Sequence, residues 1–132
     1  VARIDFDLAE VLQDVATGRL NASKLHWKPG ASACVVLASG GYPGRFEPGK
    51  KIDGLTGAEQ ITGVKVLHAG TKRVGDEILT SGGRVLGVTA AGPTLGAALG
   101  SAYAAADRIH FDGMHFRRDI GRYVNSLRAT GN

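Results

Sequence analysis

The sequence predicts an α+β domain in which a small antiparallel sheet or half-barrel packs against one long helix. Short apolar runs bounded by glycines are typical of strands, and a long alanine-rich stretch after Thr94 is typical of a helix. In addition, 20 of the 132 residues are glycine, about double the usual share of ~7%. So many glycines indicate tight turns and closely crossing strands.

The first 30 residues predict one amphipathic helix followed by a connector. Apolar side chains recur at helical spacing over residues 4–15, and Gly18 provides a stop. Asp5 or Asp7 can accept hydrogen bonds from the free amides at the start of this helix. Trp27 stands in the connector, and we expect its large apolar ring to pack onto the domain rather than bind a ligand.

The next segment changes period and predicts a buried strand over residues 33–38, with Cys34 as a small buried hydrophobe. A turn-rich loop follows over residues 40–49. The spacing of Thr56 and Glu59 indicates a capping box, which opens one short helical turn.

Three further strands are predicted over residues 64–68, 77–80 and 84–89. Glycine-containing turns of hairpin length join them. Short strands separated at regular intervals by such turns indicate an antiparallel meander or a small barrel.

Pro93 and Thr94 open the long helix, because proline suits the first turn and threonine is a good N-cap. After the helix, residues 109–111 are expected to return as an edge strand. The polar tail from Val124 is expected to fray.

Composition and charge exclude several classes of function. Sixteen Lys and Arg are interleaved with twelve Asp and Glu, so the basic residues form no continuous stripe along the sequence. The net charge of +4 suits an anionic small substrate as well as nucleic acid. The lone cysteine excludes an intrachain disulfide and thiolate-rich metal sites, and the four histidines lack zinc-site spacing. Without a signal-peptide pattern or a membrane-length apolar run, the cytoplasm is the default compartment.

The sequence Gly82-Gly83-Arg84 is a candidate anion site at the entry to a predicted strand. The two glycines expose backbone amides, and the guanidinium fork can chelate a phosphate or a carboxylate. A tight hairpin turn followed by a surface arginine is the alternative.

The GGYPG stretch at residues 40–44 matches no nucleotide-binding loop pattern. It is either a type II turn centred on its Pro-Gly pair or a wall of a substrate site.

Two other polar features have structural interpretations. His68 ends an apolar strand, where a structural hydrogen bond is a more common role than that of a catalytic base. The charged residues Asp112, Arg117, Arg118 and Asp119 are expected to form one ion-pair cluster with a structural role.

Taken in order, these motifs resemble the carboxy-terminal domain of the phosphoribosylamine–glycine ligase family, also called glycinamide ribonucleotide synthetase, of the ATP-grasp superfamily. The similarity runs from about Cys34 to Gly121. The resemblance implies a hybrid-motif-like half-barrel over residues 31–124. It further implies that residues 1–30 are the last helix of the ATP-grasp domain and its linker, and that residues 125–132 are a tail.

The resemblance implies part of an enzyme that joins glycine to 5-phosphoribosylamine in purine biosynthesis, through glycyl phosphate and with ATP and Mg²⁺ or Mn²⁺. In the family, ATP and metal are held upstream, so this chain is expected to hold no cofactor or metal, to have no catalytic residue and to be inactive alone. Its implied partners are the amino-terminal and ATP-grasp domains and the two substrates, with no nucleic acid or membrane. The substrate-binding residues expected here are Arg84, Gly82, Gly83, Gly40, Gly41 and Tyr42.

A different class of function remains as the alternative, namely a non-catalytic hybrid-motif module that binds a partner protein or nucleic acid. Salt-sensitive association with random DNA or RNA would indicate the nucleic-acid case.

Overall fold

The computed structural model describes residues 1–122 and has the predicted α+β architecture; the tail from Val124 lies outside these residues. No helix among them is both long and apolar enough to cross a membrane. The helices are α1 (Leu8–Ala16), α2 (Leu55–Glu59) and α3 (Leu95–Ala106), with a short 3-10 helix at Ala22–Lys24. The strands are β1 (Ala31–Ala38), β2 (Val64–His68), β3 (Thr71–Val74), β4 (Glu77–Thr80) and β5 (Arg84–Gly92).

The central sheet is antiparallel and has the strand order β1-β5-β2. In its middle strand, Val88 is paired with Val35 on one side and Val66 on the other, and all three are buried. Strands β3 and β4 form a separate hairpin. The predicted meander is therefore wrong, because β2 pairs with β5 and the intervening hairpin pairs with itself. The pattern also missed β3, whose side chains are largely exposed.

Helix α3 covers the inner face of this sheet. Thr94 caps it as predicted, since its hydroxyl oxygen accepts a hydrogen bond of 3.2 Å from the Ala97 amide. Most of its buried residues are alanines, which let the helix backbone approach the sheet closely. The buried residues of α3 are Ala98, Leu99, Ala102, Ala105 and Ala106.

Helix α2 begins differently from the prediction. Gly54 precedes it with a φ of 83°, and no side chain caps its first amides. Thr56 lies inside the helix, so the predicted capping box with Glu59 does not form. The backbone conformation available to glycine starts this helix.

The segment after α3 contributes to the core without forming the predicted edge strand. His110 makes one isolated bridge with Asp53 through two backbone hydrogen bonds of 2.9 and 3.1 Å. Its neighbours Ile109 and Phe111 are buried. This segment therefore closes the core through side-chain packing.

Helix α1 forms at the predicted place but is barely packed. Asp7, one of the two aspartates considered, caps it by accepting a hydrogen bond of 3.1 Å from the Glu10 amide. Val11 is its buried residue, while Leu12 and Val15 are 58% and 53% exposed. Most of its apolar face therefore has no partner within residues 1–122.

Trp27 does not pack onto the domain as predicted. It is 60% exposed, and its ring and that of Phe6 form a T-shaped pair with a centroid distance of 6.0 Å. Ile4 forms an isolated β-bridge with it. The tryptophan therefore stabilises the amino-terminal segment itself.

The side of the central sheet opposite α3, here called the outer sheet face, is exposed and partly apolar. Val36 and Leu67 are 42% and 53% exposed, and both are paired with Gly87 of β5. Cys34 lies on the same face and is exposed, so the prediction of a fully buried strand and a buried thiol is wrong. The strand alternates between core and surface because only one side of the sheet is covered.

The exposure of Cys34 makes its thiol accessible in the folded chain. We expect iodoacetamide to alkylate it without denaturant, because the side chain is exposed in the folded chain. Intact mass spectrometry over time measures the extent of reaction. A thiol that reacts only after addition of urea would contradict this placement.

Candidate substrate-binding groove

An open groove of about 590 Å³ lies where β2 ends beside the start of β5. The backbone builds it: Gly70 donates a hydrogen bond of 2.8 Å to the Arg84 carbonyl, and Ala69 donates one of 3.0 Å to the Val85 carbonyl. The two residues that follow β2 thus remain hydrogen-bonded to β5 after the strand itself has ended. We call it the Arg84 groove; its lining residues include Val36, Tyr42, Leu67, His68, Gly83 and Arg84.

Arg84 is exposed in this groove and available for a ligand. Within residues 1–122, its guanidinium makes no hydrogen bond and no ion pair. The pairing register between β1 and β5 shifts at this point, because Leu37 pairs with Leu86 whereas the next residue, Ala38, pairs with Arg84. Such a bulge turns a strand end and re-aims its side chains. Arg84 also borders a smaller apolar cleft of about 260 Å³.

The loop before Arg84 is anchored through its carbonyl groups. The Ser39 hydroxyl donates to the Gly82 carbonyl at 2.9 Å, and the Ser39 amide donates to the Gly83 carbonyl at 2.8 Å. The amides of these two glycines have no acceptor among the described residues. The two unpaired amides and the unpaired guanidinium thus belong to three consecutive residues, and groups of these types can donate hydrogen bonds to an anion.

Close packing also explains why both residues are glycines. A Cβ at residue 82 would lie 3.0 Å from the Gly70 Cα, and a Cβ at residue 83 would overlap the Tyr42 ring. The Tyr42 ring thus rests on Gly83 and forms one wall of the Arg84 groove. The glycines have a packing role whether or not a ligand binds.

The GGYPG loop does not form the predicted type II turn at Pro43 and Gly44. A type II turn there would need a positive φ at Gly44. In this loop the φ of Gly41 is positive, at 90°, and that of Gly44 is not. The turn closes earlier, through a hydrogen bond of 3.1 Å from the Tyr42 amide to the Ser39 carbonyl. Residue 41 must also be glycine for steric reasons, because a Cβ there would overlap the carbonyl oxygen of Arg45.

The structure brings together only part of the predicted site. Tyr42, Gly83 and Arg84 line one groove, and Gly82 adjoins them in the chain. Gly40 lines a different groove of about 500 Å³ with Arg45, Lys50 and Asp112, and Gly41 lines neither. The six residues remain a prediction as substrate contacts.

His68 lies at the edge of the Arg84 groove and also lines a third groove of about 610 Å³. Its Nδ1 is 3.0 Å from the Thr71 hydroxyl oxygen, which fixes the ring orientation. The histidine is therefore a groove residue that was absent from the predicted substrate contacts. The signal for it was its position at the end of β2, where side chains border loops.

Charged pairs near these grooves are exposed. Lys51 lies 3.1 Å from Glu77 and 3.7 Å from Asp53, and its hydrogen bond to Glu77 raises the pKa of the Lys51 ammonium. Within residues 1–122, no group of three or more His, Cys, Asp or Glu side chains is placed to hold a metal ion.

The predicted single cluster of Asp112, Arg117, Arg118 and Asp119 separates into three pairs. Arg117 binds Asp119 with hydrogen bonds of 2.9 and 2.7 Å, and this contact lowers the pKa of the Asp119 carboxyl. Arg118 pairs instead with Asp107 at 2.7 Å. Asp112 lies 3.4 Å from Lys50 and is not paired with either arginine among the described residues.

Comparisons with known proteins agree on one family. Residues 32–123 match the family model described as phosphoribosylglycinamide synthetase, C domain. The phosphoribosylamine–glycine ligase of Vibrio cholerae is 49% identical over 119 residues, which are 90% of this chain and 28% of that protein. The Synechocystis ligase is 53% identical over 97 residues, which are 74% of this chain and 23% of that protein.

A solved structure supports the same assignment. The crystal structure of phosphoribosylamine–glycine ligase from Thermotoga maritima superimposes with a TM-score of 0.69 at 30% sequence identity. The match covers 84% of this chain and 26% of that one. The chain thus spans about a quarter of the length of these relatives.

Proposed function

The chain belongs to the phosphoribosylglycinamide synthetase C-domain family, and from this membership we propose that it is the carboxy-terminal part of an ATP-dependent ligase that joins glycine to 5-phosphoribosylamine. In this reaction ATP phosphorylates the glycine carboxylate to glycyl phosphate. The amine of phosphoribosylamine then attacks the carbonyl carbon, and phosphate leaves. Two observations support the proposal: the relatives are named phosphoribosylamine–glycine ligase, and about half of the aligned residues are identical between them and this chain.

The contribution of this chain is to bind the phosphate of phosphoribosylamine in the Arg84 groove. The observation that carries this proposal is the exposed, unpaired Arg84 guanidinium in the groove, which directly follows the unpaired amides of Gly82 and Gly83 in the chain. Guanidinium matches a phosphate with two parallel hydrogen bonds, and neighbouring backbone amides add donors of fixed direction. Tyr42, held against Gly83, forms the wall beside the bound ribose phosphate.

ATP and its divalent cation belong to the rest of the ligase in this proposal. The cation would neutralise phosphate charge where ATP binds. We propose that this chain alone has no ligase activity. The proposed setting is purine biosynthesis in a reducing cytoplasm, where the free thiol of Cys34 is stable.

The exposed apolar surfaces fit contacts with the other domains of the same ligase. Leu12 and Val15 of α1 and Val36 and Leu67 of the outer sheet face are each more than two fifths exposed. Large exposed apolar patches commonly mark interaction surfaces. We propose that residues 1–30 end the ATP-grasp domain and that residues 31–124 form the carboxy-terminal domain, since the family match begins at residue 32.

The same outer sheet face also favours the second candidate, a non-catalytic module that binds a separate partner protein. The two candidates differ in what the Arg84 groove does. Binding of ribose 5-phosphate that depends on Arg84 supports the ligase. Retention of a separate protein on the outer sheet face without any phosphate binding in the groove would favour the module.

Replacing Arg84 by alanine in the complete ligase tests the proposed function. Losing a charged hydrogen bond worth about 1.5–3 kcal/mol should raise the KM for phosphoribosylamine roughly 10–100-fold. The KM for ATP should stay near its original value, and steady-state kinetics with each substrate varied measures both. Arg45→Ala is the matched control, because Arg45 is an exposed arginine in the neighbouring groove. An unchanged phosphoribosylamine KM in Arg84→Ala would remove Arg84 from the site.

A further inference from the structure

Ser39 connects the end of β1 to the two-glycine loop that precedes β5. It directly follows Ala38, which pairs with Arg84 at the last position of the β1–β5 ladder. The antiparallel pairing therefore brings Ser39 to Gly82 and Gly83. Its hydroxyl donates to the Gly82 carbonyl at 2.9 Å, and its amide donates to the Gly83 carbonyl at 2.8 Å. Two consecutive carbonyls of the loop are thus bound by one residue.

The hydroxyl bond sets the direction of the peptide unit between the two glycines. The carbonyl of Gly82 and the amide of Gly83 belong to this unit, and the peptide bond that joins them is trans. In a trans peptide unit the C=O and the N–H point in opposite directions. Because the Gly82 carbonyl points to Ser39, the Gly83 amide points away from it. Gly83 lines the Arg84 groove, and its amide has no acceptor among the described residues.

The ends of the same loop are held from the β2 side, by Gly70. The Ser81 amide donates to the Gly70 carbonyl at 2.8 Å, and the Gly70 amide donates to the Arg84 carbonyl at 2.8 Å. Neither bond is made to the peptide unit between the two glycines. Glycine has more backbone freedom than any other residue, so the loop sequence itself does not fix that unit. Within residues 1–122, the Ser39 hydroxyl makes the only hydrogen bond to it.

We propose that Ser39 is a positioning residue for the substrate phosphate, an inference that rests on the proposed function. Ser39 is 4% exposed and is not among the residues that line the Arg84 groove, so it acts through the loop and not by touching the substrate. Its hydroxyl holds the Gly83 amide in one direction before the substrate arrives. A donor that is fixed in advance loses less conformational freedom on binding.

Replacing Ser39 by alanine in the complete ligase tests this role, because alanine removes the hydroxyl and keeps the backbone bond to Gly83. The KM for phosphoribosylamine should rise roughly 3–10-fold, the factor that corresponds to one net hydrogen bond. The kcat and the KM for ATP should stay near their original values. Ser39→Thr keeps a hydroxyl donor and should return the phosphoribosylamine KM to near its original value. A KM in Ser39→Thr as high as that in Ser39→Ala would contradict the role of the hydroxyl.

Thr94→Ala is the matched control, because it removes the hydroxyl that caps α3, and Thr94 does not line the Arg84 groove. Both alanine variants should lower the urea midpoint of the chain itself, since each loses a hydrogen bond of the fold. Only Ser39→Ala should raise the KM for phosphoribosylamine in the complete ligase. An unchanged KM in Ser39→Ala, whatever its urea midpoint, would leave Ser39 with a structural role alone and overturn the proposal.

The Arg84→Ala variant separates failure of this inference from failure of the proposed function. An unchanged phosphoribosylamine KM in Arg84→Ala would overturn the phosphate site, and the role of Ser39 with it. A raised KM in Arg84→Ala together with an unchanged KM in Ser39→Ala would overturn the positioning role alone. A raised KM in both variants, with the larger rise in Arg84→Ala, is the expected result.

Discussion

Replacing Phe111 by alanine is expected to lower the free energy of unfolding by about 3–5 kcal/mol, the usual cost of removing a buried phenylalanine ring. Phe111 is 1% exposed and is the largest of the fully buried side chains in residues 1–122. It belongs to the core cluster with Leu37 and Val85. Removing the ring loses its transfer free energy and leaves a cavity that a close-packed core closes only partly.

Urea denaturation followed by circular dichroism measures this loss in the chain itself. The midpoint should fall while the slope of the transition stays the same, since the surface exposed on unfolding changes little. Phe46→Ala is the matched control, because Phe46 is 37% exposed and its truncation removes less buried area. Equal losses in the two variants would contradict the placement of Phe111 in the core.

The fold elements that the sequence predicted well are those determined by local patterns. The apolar runs at residues 64–68 and 84–89 became β2 and the first part of β5, and Thr94 caps α3 as expected. Hydrophobic periodicity and capping chemistry act within a few residues of the chain. Such signals can therefore be read without knowing the partners of an element.

The errors arose where the partner of an element decides its environment. The run around Cys34 is as apolar as a strand buried on both sides, yet α3 covers only one face, and Cys34 is exposed. The polar β3 gave no hydrophobic signal because its side chains point largely to solvent. The pairing of β2 with β5 across an inserted hairpin is a long-range contact that turn lengths do not specify.

The candidate site shows the same division. The chemistry of Gly82-Gly83-Arg84 could be predicted from residue types, because arginine and exposed amides bind anions in many folds. That Ser39 anchors this loop through its carbonyls, and that Tyr42 rests on Gly83, depends on contacts between distant segments. His68 borders the groove for the same reason, because the chain that follows it pairs with β5 through Gly70 and Arg84.

Replacing Gly54 by alanine is expected to cost about 2–5 kcal/mol of stability. A residue other than glycine at its φ of 83° is strained by about 1–2 kcal/mol. A Cβ there would also overlap the Arg108 carbonyl oxygen and lie 2.8 Å from the carbonyl carbon. That contact is with backbone, so relief requires separating the Asp53–His110 bridge, and overpacking of this kind costs about 1–3 kcal/mol.

Gly57→Ala provides a control within the same helix. Its Cβ would meet no atom closer than the flexible Arg108 side chain at 4.0 Å, and its φ is not positive. Alanine in a helix interior is favoured over glycine by about 0.5–1 kcal/mol, so this variant should be more stable than the original chain. Urea midpoints of the two variants should therefore move in opposite directions. If both move together, the tight contact between Gly54 and Arg108 does not position α2, and helix propensity alone governs the segment.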